Sequence, residues 1–360
     1  MANEFFTNEH TSVLQELVRE IQNDPTTYLG SKYMPSIAIP TRKIRNEVIE
    51  ASGGLTNEHV TGADPKLIQR AGSRVQEFQG GQYKEGILFD ESDILYLREL
   101  GQNDPSRQGI RQHLDLAVDR LNRRLEARIE YQRWQAIFTG GFTYLGETFA
   151  YGVPATNRSV PVGALWSTDG INANNTANPI DDLRYWWQGG YAPYRKYNAT
   201  GIVMSANTAR WILENANTKA YLTSYAANPM MQEYDINKVL SFLIPGLPPI
   251  TVYKGWFQSE TVVNGKLTVS DAVYFVPDGY IFFETSLPGN DMIGDVVLGS
   301  HLASGSMESP GFGKFLVVEE NIAPGTRGGP ANPYVTAWGG FYGAPRMKRP
   351  FDVLTAKVIA

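Results

Sequence analysis

The feature that most constrains the fold of this chain is an uninterrupted helical pattern from Asp104 to Phe138. Asp104 can cap the first turn with its carboxylate, and Pro105 stands at the first helical position, where a missing N–H is not needed. From there Ile110, Leu114, Ala117, Val118, Leu121, Leu125 and Ile129 recur every three or four residues, and Trp134, Ile137 and Phe138 carry the apolar stripe onward. No glycine follows Gly109 until the Gly140-Gly141 pair, which tolerates the left-handed geometry of a helix C-terminus and supplies the stop. At 1.5 Å per residue this is a rod roughly 50 Å long, against a usual helix of about 11–12 residues. Such a rod is a girder.

Charge crowds the positions off the stripe. Arg107, Arg111, Asp115, Asp119, Arg120, Arg123, Arg124, Glu126, Arg128, Glu130 and Arg133 are expected on an outer face, seven arginines against four acids. Arg111/Asp115 and Asp119/Arg123 are spaced to pair along the surface. Two readings of this face stand side by side. It is a solvated helix face, or its surplus guanidinium groups meet carboxylates of neighbouring copies, since Arg suits planar bidentate pairing at interfaces.

At 360 residues and 42% hydrophobic the chain can bury a real core, and length alone suggests about two domains. A net charge of -5 argues against a free DNA-binding protein, which carries a strong basic excess. With no Cys, disulfides, thiolate metal sites and cysteine nucleophiles are excluded. The opening MANEFFTNEHTS lacks a basic-then-apolar signal design, and no apolar stretch approaches the ~20 residues of a membrane span, so a cytoplasmic place of synthesis and no membrane partner are expected.

Along the chain, Val13, Leu14, Leu17, Val18 and Ile21 form a short amphipathic stripe that Asp24-Pro25 ends. The Pro-punctuated YLGSKYMPSIAIPTRK beyond it reads as an extended arm. Residues 42–100 carry eight Lys or Arg and ten Asp or Glu, with strand-like runs at Arg42–Glu50 and Arg74–Phe78 and few bulky apolar side chains between Ser52 and Gly72. This is expected to be a long hairpin with little core of its own, one that lies on something else. After the rod, strands are predicted on either side of Gly146-Glu147, and residues 154–180 read as a linker over the surface. A more apolar region comes next. It has a helix start at Asp181-Asp182, a strand at Ile202–Met204, a capped helix from Ser205 to Ala216 and a strand from Pro249 to Phe257. A hairpin turning at Asn264-Gly265 and strands on both sides of Pro277-Asp278 complete it. The passage 321–345, with Pro324, Gly325, Gly328, Gly329 and Pro330, reads as loop between strands near Phe315–Val318 and Val353–Ile359.

No Gly-x-Ser-x-Gly elbow, His-Glu-x-x-His helix or Gly-Lys-Ser/Thr phosphate loop occurs, and Gly311/Gly313 lack the third glycine of a dinucleotide fingerprint. His10, His59, His113 and His301 show no ligand spacing; His113 is either a solvated or interface residue or a pH-sensitive contact on the rod. Asp181 and Asp182 point apart on a helix and read as helix-start acids rather than an acid-base pair. Trp186 and Trp187 read as core or interface, with a sugar cleft as the alternative. The expectation is a protein with no catalytic residues, cofactor or metal.

In its order of parts the chain resembles the tailed-phage major capsid proteins of the Hong Kong 97 type, and more closely the phage lambda major capsid protein family. The residues that carry the resemblance are the stretch 105–138 with FTGGFTYLGETFAYGV after it, Asp181-Asp182-Leu183, and Ile202–Ser205 into Trp211. Val252–Gly255, the Val263–Gly265 turn, Val276–Gly279 and the terminal PFDVLTAKVIA complete the set. The resemblance implies an α+β fold with an N-terminal arm (1–40), an extended β-hairpin loop overlapping a neighbour (41–100), and a peripheral domain (101–178 and 335–360) containing the spine helix 105–138. Residues 179–334 would form an axial domain at the five-fold and six-fold axes.

It further implies self-assembly into an icosahedral shell of hexamers and pentamers enclosing a double-stranded DNA genome that the wall touches only weakly. A separate scaffolding protein and a portal are the expected partners, with a decoration protein left open, assembly in the host cytoplasm and residence in the virion capsid. Arg111, Arg120, Arg123 and Arg124 of the rod and Arg42, Arg45 and Arg74 of the hairpin are the candidate subunit contacts. An encapsulin-like compartment shell sharing the fold, and a carbohydrate-active enzyme with paired carboxylates across a cleft, are the alternatives.

Overall fold

The long helix ends at a glycine, as its pattern requires. In this computed structural model α1 runs Ser106–Thr139, and Gly140 comes next at φ +63° with its N–H on the Ala136 carbonyl. The structure describes residues 28–49, 73–89, 106–161, 165–166, 177–187, 199–225, 236–263, 266–285, 292–301, 311–321 and 334–359. The expected Asp104 cap with Pro105, the 13–21 stripe and the Asn264-Gly265 turn lie outside the described residues. Before α1 come β1 (Ser36–Ala38), β2 (Lys43–Ile49), β3 (Ser73–Gln79) and β4 (Gly81–Phe89); after it, β5 (Gly141–Tyr144), β6 (Glu147–Ala150) and β7 (Arg158–Ser159). The next elements are α2 (Pro179–Trp187), β8 (Ala199–Ser205), α3 (Ala206–Glu214), α4 (Ala216–Tyr225) and α5 (Ile236–Leu243). Strands dominate the C-terminal third: β9 (Ile250–Tyr253), β10 (Trp256–Phe257), β11 (Glu260–Val263), β12 (Lys266–Val269), β13 (Val273–Tyr274), β14 (Tyr280–Thr285), β15 (Gly294–Leu298), β16 (Ser300–His301), β17 (Gly311–Phe312), β18 (Lys314–Asn321), β19 (Tyr334–Met347) and β20 (Leu354–Lys357).

The chain divides into two compact units. The first takes residues 1–45, 77–133 and 295–346. Its sheet has the order β1-β15-β19-β18, with β4 also paired to β19. β19 is central: Val335–Phe341 pairs antiparallel with β18 on one edge and with β4 on the other. This corrects the expected loop over 334–345, because Tyr334–Met347 is a fourteen-residue strand, while 322–333 lie outside the described residues. Its glycines are close approaches rather than loop signals. A Cβ at Gly340 would press into the Tyr83 carbonyl oxygen and lie 3.0 Å from the Phe315 ring, and one at Gly343 would meet the Val297 carbonyl oxygen.

Pleating puts Tyr83, Phe341 and Lys314 on one face of this sheet and Lys84 and Phe315 on the other. α1 lies against the first face: Arg128 stacks 4.8 Å from the Tyr83 ring, and Lys314 Nζ donates to Asn122 at 3.2 Å. The α1 stripe is buried in this unit at Ala117, Val118, Leu121, Leu125 and Ile129. The expected outer charge face needs correction at its end, for Glu130 and Arg133 are buried, at 0% and 3% exposure. β1, at the end of the predicted arm, adds a parallel strand to β15.

The second unit takes residues 46–76, 134–294 and 347–360. Its sheet, β7-β20-β14-β8-β9, is mixed, with β8 parallel to β9 and β14 antiparallel to both β8 and β20. Ile202, Met204, Ile281, Phe283, Leu354 and Ala356 form one apolar layer, covered by Leu183 and Trp186 of α2, Ile212 of α3 and Leu240 of α5. Ser205 caps α3 by accepting from the Thr208 N–H. The linker expected over 154–180 is corrected at Trp166, which is 2% exposed, lies in this core and donates Nε1–H to Asp182 at 2.8 Å. The strand expected from Pro249 to Phe257 breaks at Lys254-Gly255 into β9 and β10. The β5–β6 turn falls at Leu145-Gly146, one residue earlier than expected, with φ of 49° and 86°. β2 and β3 pair as a two-stranded ribbon.

Candidate functional site

Of the predicted contact residues, those on α1 fall into two kinds. Arg123 is exposed and pairs along its own helix, with Nε 2.8 Å from Asp119 four residues earlier. An exposed i,i+4 pair of this sort contributes a few tenths of a kcal/mol and leaves the guanidinium at the surface. Arg124 is tied to the sheet. The Glu85 carboxylate on β4 accepts from its Nε and, at 3.1 Å, from its Nη2, a bidentate bridge from helix to sheet. Arg120 is exposed, and Arg111 lies on α1 with its side chain outside the described set. On the ribbon, Arg42 and Arg74 are exposed, and the Arg42 guanidinium lies 5.3 Å from the Tyr342 ring. Arg45 is exposed, and its carbonyl accepts from Arg346 Nη1 at 3.1 Å. The structure therefore brings Arg120, Arg123 and Arg124 onto one helix and joins Arg124 to β4.

Two groups in the first unit escaped sequence reasoning. One is a clasp around the buried pair Glu130–Arg133. Glu130 Oε1 accepts the Gly30 N–H at 2.8 Å, and Oε2 accepts from Arg133 Nη1 at 3.1 Å. Arg133 Nε donates to the Met34 carbonyl and Nη2 to the Ser36 hydroxyl, each at 2.8 Å. Every charged-group oxygen or nitrogen named here has a partner, which is what makes a buried pair tolerable. Gly30 is required, since a Cβ would sit 2.7 Å from a Glu130 carboxylate oxygen. The i,i+3 spacing of Glu130 and Arg133 was visible in the sequence, but their partners are about a hundred residues away. The other group is Arg346–Asp295, bidentate at 2.9 and 2.8 Å.

Burial also shifts titration. Desolvation first, and Lys84 second, hold the His301 imidazole below its usual pKa; its ring packs 4.4 Å from Phe315, and among the described residues neither ring nitrogen has a hydrogen-bond partner. Burial, helped by Glu126 and Glu130, raises the Tyr28 phenol. His113 has no described side chain, and His10 and His59 lie outside the described residues. Among the described residues no three His, Cys, Asp or Glu side chains gather as a metal group, and no helix is long and apolar enough to cross a membrane. Asp181 and Asp182 do point apart: Asp181 pairs with Arg184 at 3.2 Å, while Asp182 turns inward to Trp166. The arrangement offers a braced helix and sheet with arginines left at the surface.

Residues 10–300 match the family described as Phage major capsid protein E. The chain belongs to this family. A Phage major capsid protein E member is a structural component of the head shell and not an enzyme, and its place is the virion capsid. Its copies self-assemble into that shell. No curated protein matches the chain.

Among solved structures, a protein described as the capsid protein of a prophage of E. coli CFT073 is 13% identical, with a TM-score of 0.57 and coverage of 97% of this chain and 99% of that one. A phage-related protein from Bordetella bronchiseptica RB50 is 10% identical at TM-score 0.47, covering 96% of each chain. A virus-like particle protein from Pyrococcus furiosus is 11% identical at TM-score 0.44, covering 97% of this chain and 99% of that one. The first of these shares the fold of this Phage major capsid protein E member, which is the Hong Kong 97-type capsid fold.

Proposed function

We propose that this capsid protein closes into an icosahedral shell of hexamers and pentamers around double-stranded DNA, with residues 1–40 as arm and 41–100 as the loop that overlaps a neighbour. Residues 101–178 and 335–360 act as the peripheral domain, and 179–334 as the axial one. The observation that carries the reading is the family match over residues 10–300. It is supported by a spine helix on which Arg120, Arg123 and Arg128 are exposed. Arg42, Arg45, Arg74, Arg111, Arg120 and Arg123 contact neighbouring copies, and Arg124 contributes through its bridge to Glu85. A shell protein needs many weak repeated contacts and a geometry that closes. The net charge of -5 suits a wall that holds DNA loosely, because each phosphate contact would slow packaging and release. A separate scaffolding protein and a portal complete the particle. Negative-stain microscopy and sedimentation of the purified chain test the reading: closed particles or capsomers are expected, and a compact solitary monomer at all concentrations refutes it.

A further inference from the structure

Leu145 combines two features that folding of a single copy does not explain. It has φ +49°, and among the described residues no other non-glycine residue has a positive φ. That conformation suits Gly, Asn or Asp at the first centre of a two-residue hairpin turn, and strains a leucine. Its side chain is also 86% exposed, more than any other large apolar side chain described. Asn or Gly at this position would relieve the backbone and remove apolar surface from water at once.

The hairpin that carries Leu145 is stiff. It leaves the end of α1 directly, with the Tyr151 N–H on the Gly140 carbonyl at 2.9 Å. Phe142 and Tyr151 at its base are each 2% exposed, and Thr143 and Thr148 share a hydroxyl hydrogen bond of 3.0 Å across the strands. With only Leu145 and Gly146 between the paired residues Tyr144 and Glu147, the leucine cannot fold back onto those buried rings. It is presented as a fixed apolar knob.

We propose that Leu145 is a subunit contact of the shell, inserting into an apolar depression on a second copy of this chain. The proposal rests on assembly from copies, and a second copy is the occupant that the size of the feature selects. One leucine covers a small fraction of the ~1,200–2,000 Å² buried in a stable pair interface, so the knob cannot hold a partner by itself. It contributes only where many other contacts already hold the neighbour in place, which is the situation inside a closed wall of identical subunits.

The test uses the absence of cysteine from the chain. Leu145→Cys gives one thiol, whose maleimide labelling is compared between unassembled subunits and particles made of this chain alone. Labelling at least tenfold slower in particles is expected; a rate comparable to that of the subunits overturns the proposal, as does protection seen only when another protein is bound. Leu145→Asn is expected to leave the melting temperature of the free subunit unchanged or higher while particle yield falls at least fivefold, and Leu145→Met, equally strained but apolar, to restore the yield. Undiminished yield with Asn overturns the contact while leaving the shell reading intact, since wild-type particles test that separately.

Discussion

Arg133→Met isolates the energetics of the buried clasp. Methionine fills much of the volume of the arginine stem but carries no charge or donor, so Glu130, at 0% exposure, would keep the Gly30 N–H and lose its cationic partner. The Met34 carbonyl and Ser36 hydroxyl would lose the donors that now reach them at 2.8 Å. Removing one member of a buried, hydrogen-bonded pair costs about 3–5 kcal/mol, a large share of the ~5–15 kcal/mol by which a domain is stable. The double variant Glu130→Gln with Arg133→Met should recover part of that loss, because Gln can still accept from Gly30 and no orphan charge remains. Urea unfolding of the unassembled chain measures the cost, and hydrogen exchange at the Gly30 amide reports whether residues 30–36 still lie on α1. A loss under about 1 kcal/mol, with Gly30 exchange unchanged, would show that apolar packing alone holds this segment.

Gly340→Ala drives a methyl group into the Tyr83 carbonyl and should destabilise the first unit by about 1–3 kcal/mol in the same urea assay, since backbone cannot step aside as a side-chain end can. Lowered His301 pKa means that the folded chain binds fewer protons than the unfolded one once pH falls below the usual 6.5. Stability is therefore full above that pH and declines below it by at most about 1.4 kcal/mol per unit, and melting curves of His301→Leu at pH 7.5 and 5.5 should lose this dependence. Arg123→Glu should leave subunit stability within about 0.5 kcal/mol and lower particle yield, whereas Arg124→Glu should destabilise the subunit itself by setting a carboxylate against Glu85. Equal stability losses from the two reversals would refute the division between the arginine paired along its helix and the one paired to the sheet.

The spine helix was legible in the sequence because its information is local: the three-to-four periodicity, the charge off the stripe and the Gly140 stop all lie within a few residues of the structure they specify. The Ser205 cap, the helix at Asp181-Asp182 and the strand around Ile202–Met204 were legible for the same reason. β19 was not, because glycine spacing in AWGGFYGAPRM looks like a loop until the carbonyls of Tyr83 and Val297 are seen pressing where a Cβ would stand. Trp166 was hidden in a run rich in Asn, Thr and Gly, and its burial comes from the core around Trp186 and from its bonds to Asp182 and Val358.

The division is sharpest on α1 itself. Sequence alone determined that residues near 105–138 form a rod with charge off its stripe, since backbone hydrogen bonding and side-chain periodicity are settled within a turn or two. Tertiary structure decided which charges face water. Glu130 and Arg133 are buried because Gly30, Met34 and Ser36 bring their backbone and hydroxyl groups to meet them, and Arg124 is tied down because β4 presents Glu85. A side chain's charge is written in the chain, but the dielectric and partners that determine its energy belong to residues folded in from elsewhere.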